Sequence, residues 1–303
     1  MYDSEYGYIG IKKIHYNNLL LKSNNKTKTM WNTVKTITNH KHICNTIKTM
    51  KINGKNSNNP LVTANFFYSY FSPVAENLIA IKSSEKNSIN KMNPVTWLRQ
   101  NFSQPFTSLK LKNTTTHEIE KNFRSLKCKN SHGYDGISTR ILKISAPYIL
   151  SPLMYIFNKV LSTGIFPERL KFSEMNPIFK KGDEAEISNY RPVSLLTSFS
   201  KVTEKIIYKR LYNYLNENNV LVKEQYGFRK KLSTETAIHS LLNNILSALD
   251  SKNLVGGLFC NLQKAFDCVN HEILLNKMKF YGIYGTANKL MESYLENRYQ
   301  SIS

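Results

Sequence analysis

From Thr115 onward, apolar residues alternate between helical stripes and short runs, a pattern that admits neither an all-helical nor an all-strand fold. Thr115 and Glu118 stand at capping-box spacing ahead of Ile119, Phe123 and Leu126, so a helix is expected there, ending near Lys129. Asp135-Gly136 is a turn by chemistry. Ile149, Leu153, Ile156, Phe157, Val160 and Leu161 make a second stripe, closed by Gly164. Two apolar runs, around Pro177 to Phe179 and Arg191 to Leu196, flank Lys181-Gly182-Asp183 and read as a hairpin with a charged tip. Val202, Ile206, Ile207, Leu211 and Leu215 define the next helix. Ala237, Leu241, Leu242, Ile245 and Leu249 define another, starting after Ser233 or Thr234. Leu254 to Leu262 suits a buried strand, and Asn270 caps a final helix with Ile273, Leu274 and Met278. Together these elements imply an α+β fold with a mixed or antiparallel sheet.

Residues 1–114 read as a basic, partly disordered linker region, and 115–303 as the main folded part. Up to about Asn59 the chain is rich in Asn, Lys and Thr with thinly spread apolar residues. Ala64, Phe67, Phe71, Val74 and Leu78 then recur at three- and four-residue steps, predicting an amphipathic helix near 64–78. Lys plus Arg number 42 against 21 Asp plus Glu, a formal net charge of +21. Such a balance favours a polyanionic partner, and nucleic acid is the commonest; drift toward AT-rich codons accounts for part of the excess. Cys44, Cys128, Cys260 and Cys268 form no CxxC pair and follow no signal peptide, which points to reduced thiols inside a cell. His40, His42 and Cys44 lack a second ligand pair, so zinc is not expected. No apolar run approaches the roughly 18 residues of a membrane span.

Several segments carry a family resemblance. In order they are His132-Gly133-Tyr134-Asp135-Gly136-Ile137, Gly164-Ile165-Phe166-Pro167, Pro177-Ile178-Phe179-Lys180-Lys181-Gly182-Asp183, Asn189-Tyr190-Arg191-Pro192-Val193-Ser194-Leu195-Leu196, Gln225-Tyr226-Gly227-Phe228-Arg229 and Gly257-Leu258-Phe259-Cys260-Asn261-Leu262-Gln263-Lys264-Ala265-Phe266-Asp267. This series resembles the reverse transcriptases of non-LTR (LINE or jockey-like) retrotransposons from about Thr115 to the last residue, with fainter likeness at Met30-Trp31 and from Ala64 to Leu78. The resemblance implies a partial right-hand polymerase fold, fingers and the first part of the palm. It implies an RNA template, a DNA primer and deoxynucleoside triphosphates as partners, Mg²⁺ as cofactor, and work in the nucleus or cytoplasm. Nothing resembles the endonuclease domain that usually precedes the polymerase.

By the same resemblance Asn261 occupies the position of the family's first catalytic aspartate. Two dications about 4 Å apart clamp the attacking and leaving oxygens in metal-assisted phosphoryl chemistry, and hard Mg²⁺ takes charged oxygen ligands. A neutral amide at position 261 removes a unit of negative charge from that site. No Ala-Asp-Asp motif occurs within the 303 residues, and the family's second palm strand pair is expected only after Ser303. The chain as given is therefore expected not to polymerise DNA. Asp267 is no substitute, because six extended residues separate it from Asn261 by roughly 20 Å; bracing the following turn is its plainer role.

Lys180, Lys181 and Arg191 resemble the residues that receive the incoming triphosphate, a task suited to a guanidinium that grips phosphate bidentately. A solvated charged turn is the other reading of the lysines. Phe266 resembles the ring that rejects a ribose 2′-hydroxyl, with ordinary core packing as its alternative. Gly227, Phe228 and Arg229, followed by Lys230 and Lys231, resemble the template-side segment, where an aromatic face stacks a base and cations neutralise phosphates; a loop whose Phe plugs the core is the competing picture. Three readings follow: a catalytically defective polymerase fragment, a non-catalytic RNA- or DNA-binding remnant, and a product without function. The last draws on the apolar sheet edge that missing palm strands would leave uncovered.

Overall fold

The computed structural model describes residues 14–23, 26, 29–30, 33–34, 49–52, 54–73, 93–102, 106–262 and 264–302. The chain divides into two compact units, Met1–Lys48 and Thr49–Ser303. In the first, residues 14–21 are helical. The trio His40, His42 and Cys44 lies outside the described residues.

The second unit opens with an antiparallel hairpin, β1 (Met50–Ile52) and β2 (Lys55–Ser57), followed by helix α1 (Pro60–Phe71). Asn59 caps α1 by accepting from the Leu61 amide, and Pro60 fits the first helical position. Phe67 is buried against the ring of Tyr190, 5.1 Å between centroids. Val74 and Leu78 lie outside the described residues. Helix α2 (Pro94–Asn101) is capped by Asn93.

Helix α3 (Thr116–Ser125) begins at Thr115, whose hydroxyl accepts from the Glu118 amide. Its last residue is Ser125, four residues before the expected end near Lys129, and Leu126 turns extended. Helix α4 (Thr139–Thr163) ends on Gly164, whose left-handed φ of 69° permits the reversal. Strands β3 (Phe172–Phe179) and β4 (Tyr190–Leu196) pair antiparallel around the charged tip, with Ile178 opposite Arg191. Helices α5 (Ser198–Glu217), α6 (Thr234–Asp250), α7 (His271–Phe280) and α8 (Thr286–Leu295) follow, then β5 (Tyr299–Ile302). Parallel pairing of β5 with β3 gives the order β4-β3-β5, so the three-stranded sheet is mixed and the fold is α+β.

The main core is helical. Ile119 and Phe123 of α3, Leu142, Phe157 and Val160 of α4, Val202 and Ile206 of α5 and Leu290 of α8 close on one another with Phe166. A smaller cluster joins Leu109, Tyr214, Ile283 and Ala287. Met50, Phe67, Leu98 and Leu109, all ahead of residue 114, are buried within the second unit.

Glu118 ties these helices together. Arg210 grips its carboxylate with two nitrogens, each 2.7 Å from an oxygen; Lys209 Nζ and the Thr114 hydroxyl each donate at 2.8 Å. Arg210 also donates to the carbonyls of Lys112 and Asn113, and Asn158 of α4 clasps the backbone of Thr114 through both its amide groups. Arg210 foremost, with Lys209 and Thr114, holds the Glu118 pKa down to about 2 from an ordinary 4.5, against a desolvation that pushes the other way. Glu204, which accepts from the Tyr294 hydroxyl on α8, has its pKa raised by burial.

The expectation of a buried strand at Leu254–Leu262 fails. Residues 253–262 have no regular structure and are exposed; Leu258 keeps 90% and Phe259 88% of its surface. A strand exists only where a neighbour accepts its ladder hydrogen bonds, and no strand among the described residues pairs with this run. Helix α6 is likewise amphipathic, its Ser233 cap in place, yet buries no residue. Ile238, Leu241, Leu242, Leu246 and Leu249 stand exposed along it.

Two outcomes follow. Because the folded-state pKa of Glu118 is depressed, its stabilisation is whole above about pH 4.5 and drains as pH falls toward 2. Glu118→Gln is expected to cost about 2 kcal/mol at pH 7, with the gap to the unsubstituted chain narrowing below pH 4.5 in urea melts; an equal gap at both pH values would contradict the assignment. The exposed apolar faces of α6 and residues 254–262 are expected to drive concentration-dependent association in sedimentation velocity. Leu242→Glu with Leu249→Glu should reduce that association, and a strictly monomeric parent chain with a cooperative melt would count against it.

Candidate nucleic-acid interface

Of the residues singled out by sequence, the structure brings two into contact. Phe228 lies in the loop between α5 and α6 with a left-handed φ of 60°, a conformation that costs a bulky residue energy. Phe266 lies in the turn at residues 264–268. Their rings meet edge to face at 5.8 Å, yet Phe228 is 84% and Phe266 77% exposed. Neither plugs the core, so both aromatic faces are open to a planar ligand.

The loop that presents Phe228 is anchored at several points. Val220 donates to the Leu215 carbonyl at the end of α5. Arg229 Nη1 donates to the Val222 carbonyl at 2.7 Å, so this guanidinium braces its own loop. The amide of Lys230 donates to the Tyr212 hydroxyl, and its ammonium group sits 5.0 Å above the Tyr212 ring. On the Phe266 side, the Lys264 ammonium lies 5.6 Å above the ring of Tyr70 on α1. Each aromatic of the pair thus has a cation close by in sequence, itself held over a tyrosine.

Helix α1 connects this turn to the hairpin. Phe67 packs on Tyr190 of β4, while Tyr70, nearly one turn further, lies under Lys264. Lys180 and Lys181 are exposed at the end of β3. The loop carrying them is stiff: Asn189 Nδ2 donates to the Asp183 carbonyl, Asp183 Oδ1 accepts from the Ala185 amide, and the Tyr190 hydroxyl donates to the Glu184 carbonyl. Gly182 is required there, since a Cβ would stand 2.6 Å from the Asn189 side chain and its φ is 101°. Arg191 is exposed at the head of β4. Asn261 stands on the exposed irregular run, away from any strand pairing.

Tyr70 and Tyr212 carried no sequence signal for this site, because their cation contacts join segments far apart in the chain.

The donor chemistry does not fit a two-cation centre. Position 261 offers an amide, Asp267 sits exposed in the next turn, and among the described residues no group of three or more His, Cys, Asp or Glu converges. Cys128, Cys260 and Cys268 are free thiols. Among the described residues no helix is long and apolar enough to cross a membrane.

Phe228 and Phe266 thus form an exposed aromatic pair on an α+β scaffold, with Lys230 and Lys264 each two residues away in sequence. Residues 178–302 match the family model described as reverse transcriptase (RNA-dependent DNA polymerase). The chain is 35% identical over 198 residues to the probable RNA-directed DNA polymerase from transposon BS of Drosophila melanogaster, covering 63% of this chain and 21% of that protein. It is 34% identical over 180 residues to the RNA-directed DNA polymerase from mobile element jockey of the same species, covering 59% and 20%. The jockey polymerase of Drosophila funebris is 32% identical over 190 residues, covering 62% and 21%. The chain is thus similar over residues 178–302 to the reverse transcriptase family, and over about 60% of its length to RNA-directed DNA polymerases of mobile elements. The chain spans about a fifth of the length of the curated relatives it matches.

Proposed function

We propose that this chain is the template-gripping part of a retrotransposon RNA-directed DNA polymerase, with 115–303 as fingers and the first part of the palm, and that it binds nucleic acid without extending it. The carrying observation is the exposed Phe228–Phe266 pair, with Lys230 and Lys264 two residues from it in sequence. Every base has a π-face, so such a pair accepts any sequence, while the cations neutralise phosphates. Gly227 gives the loop its open approach, with nothing within 4 Å of where a Cβ would stand.

Lys180, Lys181 and Arg191 supply a second, stiffly held group of cations for the triphosphate of a deoxynucleotide, and Phe266 the ring that would meet the 2′-hydroxyl of an incoming ribonucleotide. RNA template and DNA primer are the polymer partners, and the work belongs inside the cell, in nucleus or cytoplasm. Asn261 argues for a silent chemical step: an amide cannot supply the charge that two dications need, and several kcal/mol of transition-state stabilisation go with it.

Binding of labelled single-stranded RNA and DNA, followed by fluorescence anisotropy, tests both halves. Log affinity is expected to fall linearly with log salt, by about 0.7 per phosphate contacted. Phe228→Ala and Phe266→Ala should each weaken binding by about tenfold. With Mg²⁺ and a primed RNA template the purified chain should add no deoxynucleotide. Absence of binding near physiological salt would leave a product without function; incorporation would sink the claim of a silent chemical step.

A further inference from the structure

Helix α5 has two faces of opposite chemistry. Val202, Ile206, Ile207 and Tyr214 are buried in the core. At 100° per residue, Lys201, Lys205, Tyr208, Lys209 and Tyr212 fall within one arc of about 100° on the opposite side. On that side Tyr208 is 45% exposed and stacks on Tyr212, with ring centroids 5.5 Å apart and planes 29° from parallel. Lys230, from the Phe228 loop, closes one end of the row by sitting over Tyr212. At the other end an open cleft of about 310 Å³ is lined by Leu126, Lys201, Glu204, Lys205 and Tyr208.

Resting on the template-gripping role above, we propose that this outer face of α5 is a further stacking and phosphate-binding track for single-stranded nucleic acid, continuous with the Phe228 loop. Three features select that occupant. Tyr208, exposed and backed by its stack on Tyr212, forms a ready platform for a base. Cations stand at both ends of the platform, Lys201 and Lys205 before it and Lys230 after it, as a polyanion needs. The row also begins two residues from Phe228, so a strand leaving the aromatic pair meets Tyr212 next.

From Lys201 to Tyr212 the helix rises about 16 Å, the span of about five phosphates at the 3.4 Å spacing of a stacked strand. The one carboxylate of the cleft, Glu204, is directed to the Tyr294 hydroxyl at 3.1 Å and toward Arg298 at 4.0 Å, which removes much of its repulsion. Lys209 is held by Glu118 and contributes least. Lys205 donates to the Ser125 hydroxyl, a neutral partner that leaves its charge available.

The test is anisotropy of the full chain with labelled oligo(dT) and oligo(rU), one set of about 5 and one of about 15 nucleotides, below and above one site size. Tyr208→Ala should weaken the long oligomers about tenfold and leave the short ones, which the Phe228 loop holds, unchanged. Tyr208→Phe should bind like the parent, because stacking survives. Lys201→Gln with Lys205→Gln should lower the salt slope for long oligomers by about 1.4; this pair decides the matter if the alanine variant unfolds. DNA and RNA should behave alike, since stacking does not read the sugar. Long-oligomer affinity and salt slope equal to those of the parent in both sets of variants, while Phe228→Ala still weakens binding, would overturn the α5 track alone. Failure of the parent to bind either length would overturn it together with the template-gripping role.

Discussion

The bidentate pair between Glu118 and Arg210 sets the frame on which the rest of the molecule hangs. It joins the first turn of α3 to the middle of α5, and Arg210 reaches on to two carbonyls of the segment leading into α3. Both side chains are nearly buried, at 14% and 10% exposure. A charge in that position must be satisfied on every side, and the hydroxyl of Thr114 and the ammonium of Lys209 complete the set. The pair therefore fixes the rotation of α5 about its own axis. Its apolar side must face the core of α3, α4 and α8, and its tyrosines and lysines must face out.

That rotation carries over to the loop beyond α5. Tyr212 belongs to the outward side, and the backbone and ammonium of Lys230 both attach to it. Phe228 is then held out from the surface beside Phe266, whose turn is tied through Lys264 to Tyr70 on α1. A short chain of contacts thus runs from a buried ion pair to an exposed aromatic pair. Stiffness at one end gives the other a defined shape despite its exposure.

Much of this was legible in the sequence, unevenly. The cap at Thr115, the stop at Gly164, the β3–β4 hairpin and the caps at Ser233 and Asn270 are local, decided by side chains within a few residues of the backbone groups they satisfy. Strand β5 has no such local cue. In β5 the run Tyr299-Gln300-Ser301-Ile302 has no apolar alternation; it is a strand because β3 offers an edge and Phe172 stacks on Tyr299 at 4.8 Å. The opposite error came at Leu254–Leu262, where apolar content suggested a strand that finds no partner.

The candidate site divides along the same line. Sequence by itself determined the chemistry available: the amide at 261, the charge of +21, and the motifs from His132-Gly133 to Phe266-Asp267 that resemble those of non-LTR reverse transcriptases. Only the tertiary structure decided that Phe228 and Phe266 are exposed and in contact, that Arg229 turns back to brace its own loop, and that Tyr70 and Tyr212 each carry a lysine. The reason is range. Residue type and capping act over one helical turn, whereas a contact between loops depends on how the helices beneath them are turned, and here a buried carboxylate and guanidinium set that.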